Sequence, residues 1–546
     1  MTAAASPRTG GEAVTGGEAV VAALKANGVT TLYGVPGIQL DHLFNALHGA
    51  QDWLRIVNAR HEQGGAYMAL GHAQSTGEPG VYVCVPGPGF LNTTAALSTA
   101  YAVRAPVLAI IGQIATSAIG VGGGELHELP DQTAIVKGLT RWNGIARSVE
   151  DVPALMETAF AKLKAGIAPV AVEVPADVLQ GTAELRPARA AEAPAPKAPS
   201  DEDIARAAAL LAEAKAPLIS VGSGAYGGED ALARLAEHIE APVIAHLQGR
   251  GVLPTTHPLA VGFAEGQRLW EDADVILAVG TRFHETRRNW GERAHHQVIR
   301  IDTDPSRFAL GRAPMIAIEA DAPLTLARLA ETVEAAGAAR RTRGQEIAAL
   351  KAEIADAFAT QLALQMGYIR ALRDVLPAKA RIVADYTQVG YVATAAFDVE
   401  APRLMLSPGY QGTLGFAYAT ALGAKCANPH VPVVALCGDG GFLFTGNEVA
   451  SAVKHGIAAI GIVFVDGAFG NVRRMQEELH GGKVVATDLA NPDFVRFAES
   501  FGAKARRAEG IEAFREALTW AIAQPDPTLI EVPVPKFPDP WALVEP

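Results

Sequence analysis

The strongest constraint on this chain is an alternation, repeated in each third, of short apolar runs of strand length with longer stretches of helical period. The runs read VYVCV and VLAIIG in the first third, PLISVG, DVILAVG and QVIRID in the second, and RIVADY, VPVVALCGDG and GIVFVDG in the last. Runs that are apolar at nearly every position are buried on both faces, and strands joined through helices pair in parallel. The expected class is therefore α/β, with three domains, each a mostly parallel sheet covered by helices. In such sheets ligands collect at the C-terminal strand ends, which is where Gly87-Pro88-Gly89, Gly438-Asp439-Gly440 and Asp466-Gly467 fall.

With 546 residues, 49% hydrophobic and 19% charged, the chain can bury several cores. The stretch Arg186 to Ser200, RPARAAEAPAPKAPS, holds almost no bulky apolar residue and reads as an extended connector. A charged patch from Ala338 to Glu346, AARRTRGQE, marks a second break, so the expected domains are 1–185, 200–340 and 345–546. A net charge of −12 without any Lys/Arg-rich block argues against nucleic acid and leaves small molecules as partners. No apolar run reaches membrane-spanning length, and the start, MTAAASPRTGGEAVTGG, has no hydrophobic signal core. A cytoplasmic protein with a frayed N-terminal tail and no membrane partner is expected. Cys84, Cys426 and Cys437 form no C-x-x-C pair and read as reduced core thiols.

A strand that ends in Gly-Asp-Gly puts a carboxylate at the sheet edge beside bare backbone N–H groups, where hard cations and phosphates are held. Asp439 and Asp466 close two such runs 27 residues apart, which predicts a metal-bridged diphosphate. Thr445 and Glu448 have capping-box spacing, and Val449, Ala452 and Val453 continue an apolar face, so a helix is predicted to start near Thr445. Its N-terminus would face the diphosphate, with Gly440 and Gly441 letting the ligand approach the backbone. A lone Gly-Asp-Gly is usually a turn after a buried strand. The second loop at this offset, followed by Phe469-Gly470-Asn471, shifts the balance.

With those two loops in place, the chain resembles a thiamine-diphosphate-dependent enzyme of the acetolactate synthase and 2-oxoacid decarboxylase superfamily, over nearly its whole length. The resemblance implies pyrimidine-binding, central Rossmann-like and diphosphate-binding domains. In that family G-D-G and a downstream N-N-x-x-Y-G type sequence together hold Mg2+ and the diphosphate. By this likeness Gly438, Asp439, Gly440 and Gly441 form the first loop, Asp439 is a metal ligand, and Asp466 stands where the family has Asn. The Ala468 carbonyl completes the protein's metal ligands, and Phe469, Gly470 and Asn471 contact the diphosphate. Asp at 466 keeps an oxygen donor and adds charge, which puts metal preference and pH dependence in question.

The segment Arg60-His61-Glu62-Gln63-Gly64-Gly65-Ala66 resembles the family's R-x-E-x-x-A helix, which makes Glu62 the carboxylate that hydrogen-bonds N1′ of the aminopyrimidine. That chemistry needs an acid in a packed, apolar setting, because desolvation keeps a proton available. Read alone, Glu62 is an exposed helical Glu; Gly87-Pro88-Gly89 with Asn92, resembling G-P-G-x-x-N, gives it company. Tyr33-Gly34-Val35-Pro36-Gly37 resembles the F-G-V-P-G turn, placing Pro36 at the cofactor and leaving Ile38 and Gln39 toward it. Gly412-Thr413-Leu414-Gly415 resembles the family's G-x-M-G run, with Gly412 accepting from the 4′ nitrogen and Leu414 as apolar fulcrum, against ordinary core as the alternative. Asp385-Tyr386-Thr387-Gln388 aligns with D-x-G-Q, with Gln388 on the diphosphate. The family pairs one subunit's Glu with its partner's diphosphate loop, so a homodimer or homotetramer with active sites at the subunit interface is implied.

The middle third offers Gly222-Ser223-Gly224-Ala225-Tyr226-Gly227 after PLISV, a literal G-x-G-x-x-G. A nicotinamide site also needs an acid ending the next strand, and VIAHLQ has none, which counts against a nucleotide-binding oxidoreductase. The resemblance allows FAD, ADP or nothing in this domain, and Thr281-Arg282-Phe283-His284 loosely resembles a flavin-contacting loop. Met475 stands where true acetohydroxyacid synthases carry Trp, and Leu126-His127-Glu128 replaces F-Q-E, both against branched-chain synthesis. The double His of pyruvate decarboxylases is absent, Gln113-Ile114 standing there, and His295-His296 reads as a solvated pair. His127 is a candidate proton donor, and Arg141, Arg104 and Arg474 are candidate partners for a substrate carboxylate, each equally readable as surface charge. The resemblance points first to decarboxylation of a 2-oxoacid with transfer of the enamine to an acceptor carbonyl, as in acetolactate synthase. Simple 2-oxoacid decarboxylation, or cleavage of a 2-hydroxyacyl-CoA or oxalyl-CoA acyl substrate, follows.

Overall fold

The computed structural model describes residues 13–283, 290–337 and 343–545. Three six-stranded sheets form, and within each of them every neighbouring pair is parallel. In the N-terminal sheet the order is Arg55–Asn58, Thr31–Gly34, Gly80–Cys84, Val107–Gln113, Val170–Pro175, Trp142–Ile145. Taken in chain order, that is second, first, third, fourth, sixth, fifth. The C-terminal sheet repeats the same order with Met405–Leu406, Arg381–Ala384, Val433–Gly438, Ile460–Val465, Thr528–Pro533 and Lys504–Arg507. The central sheet differs, running third, second, first, fourth, fifth, sixth, the dinucleotide-fold order. The apolar runs explain the strands: Gly80–Cys84 and Val107–Gln113 are buried at every position, as a strand covered on both faces must be.

The chain divides into two compact units. The first contains residues up to 194 together with 410–429 and 443–458. Its centre is the helix Glu62–Thr76, in which every residue from Gly64 to Ser75 is buried. A helix buried all round favours small and apolar residues, and EQGGAYMALGHAQST is mostly these, with His72, Gln74 and Ser75 the buried polar exceptions. It packs on Gly80–Cys84 and on the helix Ala417–Ala427 at backbone contact. A Cβ on Gly71 would lie 1.9 Å from the Thr420 carbonyl oxygen, and one on Gly423 would lie 1.8 Å from that of Met68. Only glycine fits at either position.

The second unit, 195–409, 430–442 and 459 onward, holds the central and C-terminal sheets, each with its own apolar core. No regular element spans Arg186 to Ser200, and Ser200 caps the helix Asp201–Glu213. Two expectations are corrected. Residues 13–17 are not a frayed tail: Ala13–Thr15 pairs with Thr182–Glu184, and Thr15 and Glu18 form a capping box on the helix Gly16–Ala26. The pair His295-His296 is not solvated as a pair, because His296 is buried against the Trp270 ring with Nε2 on the Trp270 carbonyl. Residues 1–12, His284 of the loosely flavin-like loop, and 338–342 of the second break lie outside the described residues.

Candidate active site

In both outer sheets the order reverses between the first and third strands, and a parallel sheet leaves its ligand crevice at such a switch point. In the N-terminal sheet those strands run into Val35-Pro36-Gly37 and into the turn before the helix Pro88–Val103. In the C-terminal sheet they run into Asp385-Tyr386-Thr387 and into Asp439-Gly440-Gly441.

Glu62 opens its helix behind the N-cap His61 and is half-buried. Its Oε2 accepts from Asn92 Nδ2 at 2.9 Å, so the two residues singled out from separate motifs meet. A Cβ on Gly89 would stand 3.6 Å from Glu62 Oε1 and 2.5 Å from the Val85 side chain, so the glycine keeps this wall low. Gly87 has φ +60, and a Cβ there would meet the His127 carbonyl oxygen at 2.4 Å. Its N–H donates to Gln132 Oε1 at 2.9 Å. Gln132 and Gln113 both donate to Glu173 Oε2, a fully buried carboxylate that burial pushes above its ordinary range. Pro36 and Ile38 are exposed, whereas Gln39 is buried and tied to the loop it faces: Nε2 donates to the Leu126 carbonyl, and Oε1 meets His127 Nδ1 at 3.1 Å. His127 is half-buried at φ +67. Gly412 is exposed at φ +63 and Leu414 is half-buried, so Leu414 is not core; Thr413 between them pairs with Thr99 at 2.9 Å.

At the C-terminal sheet Asp439 is buried, with Oδ1 accepting from Gly440 N at 2.8 Å and Oδ2 from Gly467 N at 2.8 Å and Asn491 Nδ2 at 2.7 Å. Burial pushes its carboxyl up despite those donors. Asp466 is exposed as a residue, but its carboxyl is packed under Gly470, where a Cβ would lie 2.4 Å from Oδ2. Desolvation, and then the Asp439 charge, push Asp466 up to about 6. Its Oδ1 accepts from Ala468 N at 3.2 Å. Both carboxyls are thus raised, Asp439 by burial and Asp466 by burial and then by the Asp439 charge. Among the described residues no three His, Cys, Asp or Glu side chains converge as a metal cluster, so a hard cation here needs the Ala468 carbonyl and ligand oxygens as well. The Phe469 ring covers Gly440, where a Cβ would meet it at 2.6 Å. Gln388 starts the helix Gln388–Ala396 with its side-chain Oε1, an acceptor, buried and without a protein donor.

Other candidates are placed differently. Arg474 is buried and neutralised by Glu478 at 2.7 Å and Asp539 at 3.1 Å, so it does not stand free for a substrate carboxylate. Its Nη2 donates to Asn471 Oδ1, which also accepts from Trp541 Nε1, each at 3.1 Å. Arg141 lies over the Tyr101 ring at 4.3 Å, and Met475 is 44% exposed. Thr445 and Glu448 form no capping box. Thr445 Oγ1 donates to the Gly415 carbonyl and Glu448 accepts from the Arg60 and His61 amides, yet helical structure does start near Thr445, as a 3-10 turn Gly446–Glu448 that runs into the α-helix Val449–His455. Asn491 is a site residue that sequence reasoning missed; 52 residues from Asp439, it carries no local signal of the contact.

Three parallel sheets, the two outer ones with glycine turns at their switch points and the C-terminal one with Asp439 there, have the layout of an α/β enzyme that takes a phosphorylated ligand. Models of the thiamine pyrophosphate enzymes match the chain three times: the N-terminal TPP binding domain over residues 14–135, the central domain over 204–329 and the C-terminal TPP binding domain over 385–532. The chain is 34% identical over 535 residues to a probable 2-ketoarginine decarboxylase of Pseudomonas aeruginosa, covering 95% of this chain and 94% of that protein. It is 31% identical over 548 residues to a probable acetolactate synthase large subunit of Methanocaldococcus jannaschii, covering 95% and 91%. It is 30% identical over 532 residues to the acetolactate synthase isozyme 1 large subunit of Escherichia coli, covering 95% and 93%. The chain belongs to the thiamine pyrophosphate enzymes, in the acetolactate synthase and 2-oxoacid decarboxylase superfamily, and is a thiamine-diphosphate-dependent enzyme.

Proposed function

We propose that this enzyme decarboxylates a 2-oxoacid and transfers the remaining carbon unit to an acceptor carbonyl, using thiamine diphosphate held through Mg2+. The observation that carries the metal reading is the carboxylate pair: Asp466, pushed up to about 6 by burial and by Asp439, would be relieved by a cation, which Asp439, Asp466 and the Ala468 carbonyl would hold through oxygen. The residues fit the cofactor at both ends, with the half-buried Glu62 for the pyrimidine and the backbone N–H groups of the Asp439-Gly440-Gly441 turn for the diphosphate, where Gln388 could donate only through Nε2, since its unpartnered Oε1 is an acceptor. When bound, the cofactor supplies an electron sink for bond cleavage next to a carbonyl. Glu62 holds a proton at N1′, oriented by Asn92. Gly440 and Gly470 let the Phe469 ring and the Asp466 carboxyl pack close against the two loops that would hold the diphosphate. Each half of this site then needs the other from a second copy, in a homodimer or homotetramer; Leu443 and Phe444, 42% and 52% exposed, support an apolar contact.

A second reading, in which the carbon unit is protonated and released, is favoured by His127. Gln39 Oε1 engages Nδ1 and leaves Nε2 open for proton transfer. For the central domain the reading without FAD or ADP has the better support. The N–H groups of Gly222 and Gly224 are spent on Val279 and Gly280, and a Cβ on Gly224 would lie 2.6 Å from the Gly280 Cα, so these glycines serve loop packing.

The test is a panel of 2-oxoacids, including one bearing a guanidinium, as the name of the Pseudomonas relative suggests, supplied with thiamine diphosphate and Mg2+. Released carbon dioxide with a product of combined mass is the expected outcome. An aldehyde one carbon shorter selects the second reading, and no carbon dioxide from any member overturns both.

A further inference from the structure

Glu448 is completely buried and holds none of the roles assigned above. Its Oε1 accepts from the His61 amide at 3.0 Å and the Arg60 amide at 3.1 Å, and its Oε2 accepts from Arg60 N at 3.1 Å and from Ser451 Oγ at 2.5 Å. The two amides belong to the turn that ends in the N-cap His61, immediately before Glu62. The same turn is gripped a second time, because His455 Nε2 meets Asn58 Oδ1 at 2.8 Å and the His455 carbonyl accepts from Arg55 Nη2 at 2.7 Å. Gly64 is shaped to the same carboxylate, since a Cβ there would lie 2.3 Å from Glu448 Oε1. Burial pushes the Glu448 carboxyl above its ordinary range, and its oxygens accept from both amides of the turn.

We propose that Glu448 is a positioning residue for Glu62. It satisfies two consecutive N–H groups that no other part of the turn accepts from, and so fixes the backbone from which the Glu62 carboxylate projects. Buried amides left without an acceptor pull a turn toward another conformation. A general acid displaced by about 1 Å loses most of its effect. The proposal rests on the reading of Glu62 as the proton-holding partner of the pyrimidine, and the experiment separates the two.

The full-length chain is compared with Glu448→Ala, Glu448→Gln and Glu62→Gln by two measurements. One is hydrogen exchange at the amides of 58–63 without cofactor. The other is the rate at which the C2 proton of thiamine diphosphate exchanges at saturating cofactor and Mg2+. Glu448→Ala should speed amide exchange at 58–63 and slow C2 exchange about ten- to a hundredfold, while the cofactor still binds. Glu448→Gln keeps an oxygen at the same place and should restore both readouts. Unchanged C2 exchange in Glu448→Ala, or a Gln variant as poor as the Ala variant, overturns the proposal. If Glu448→Ala does not fold, Gly64→Ala, whose Cβ displaces the same carboxylate, gives the same two readouts. Full C2 exchange in Glu62→Gln instead overturns the Glu62 reading, whatever the amides of 58–63 do.

Discussion

The N-terminal and C-terminal sheets share one strand order but treat the carboxylates at their crevices in opposite ways. Glu62 has one side-chain donor, Asn92, and sits on a turn whose backbone is held from behind by Glu448 and His455. Asp439 has the donors Gly440, Gly467 and Asn491 and is still pushed up, with a second carboxylate beside it. The first arrangement is complete without a ligand. The second carries repulsion that a cation would remove. On the proposed reading one topology supports a preorganised acid and a metal-dependent anchor, and the difference lies in which atoms face the carboxylates.

The contrast breaks most visibly at Glu62. Glu62→Gln should slow C2 proton exchange by about 10²- to 10⁴-fold, the usual worth of a positioned acid, while cofactor affinity stays close to that of the unaltered chain. An unchanged rate in quenched-flow NMR would remove the N-terminal half of the comparison. At the C-terminal half, Asn491→Ala should weaken Mg2+ binding about ten- to a hundredfold, because the outer hydrogen bond to Asp439 Oδ2 is lost. Titration of cofactor binding against Mg2+ checks this, and an unaltered midpoint would show that Asp439 is held without Asn491.

The smallest effect sharpens the electrostatics. Asp466 stands at about 6 in the folded chain against an ordinary 3.8, so between those values the folded state keeps a proton that the unfolded state has lost. Metal-free stability therefore falls as pH rises through that window and stays lower above it. Asp466→Asn should stabilise the metal-free protein above pH 6, on the order of 1 kcal/mol once solvent screening is allowed for, and leave it unchanged below pH 4. Thermal melts at pH 4 and pH 8 decide it. With Asp466 in place, Mg2+ must displace that proton, so its affinity should drop as pH falls below about 6, and the Asn variant should lose this drop.

The sheets were legible because a doubly covered strand has no polar positions to hide it, and VLAIIG and VPVVALCGDG read as strands in any context. The site was legible where its residues are sequence neighbours, as at Asp439-Gly440 and Asp466-Gly467. It was not legible where tertiary partners outcompete local ones. Thr445 and Glu448 have the spacing of a capping box, yet the Gly415 carbonyl and the amides of Arg60 and His61 take their side chains. The same holds for Arg474, a free cation in the sequence but neutralised by Glu478 and Asp539 in the fold. For Ala13–Thr15, pairing with Thr182–Glu184 orders what composition alone marks as a tail.

The helices Glu62–Thr76 and Ala417–Ala427 touch through Gly71 and Gly423 at distances that admit no side chain. In a saturation mutagenesis screen scored by growth, these two positions should be as intolerant as Glu62, although neither touches a reacting atom. Replacing either glycine forces the helices apart and strains the element that carries Glu62, so such variants would fail by losing folded protein. Pairing that screen with a measure of protein abundance would split the intolerant positions into two groups, with Glu62 depleted for activity alone and Gly71 and Gly423 depleted for both.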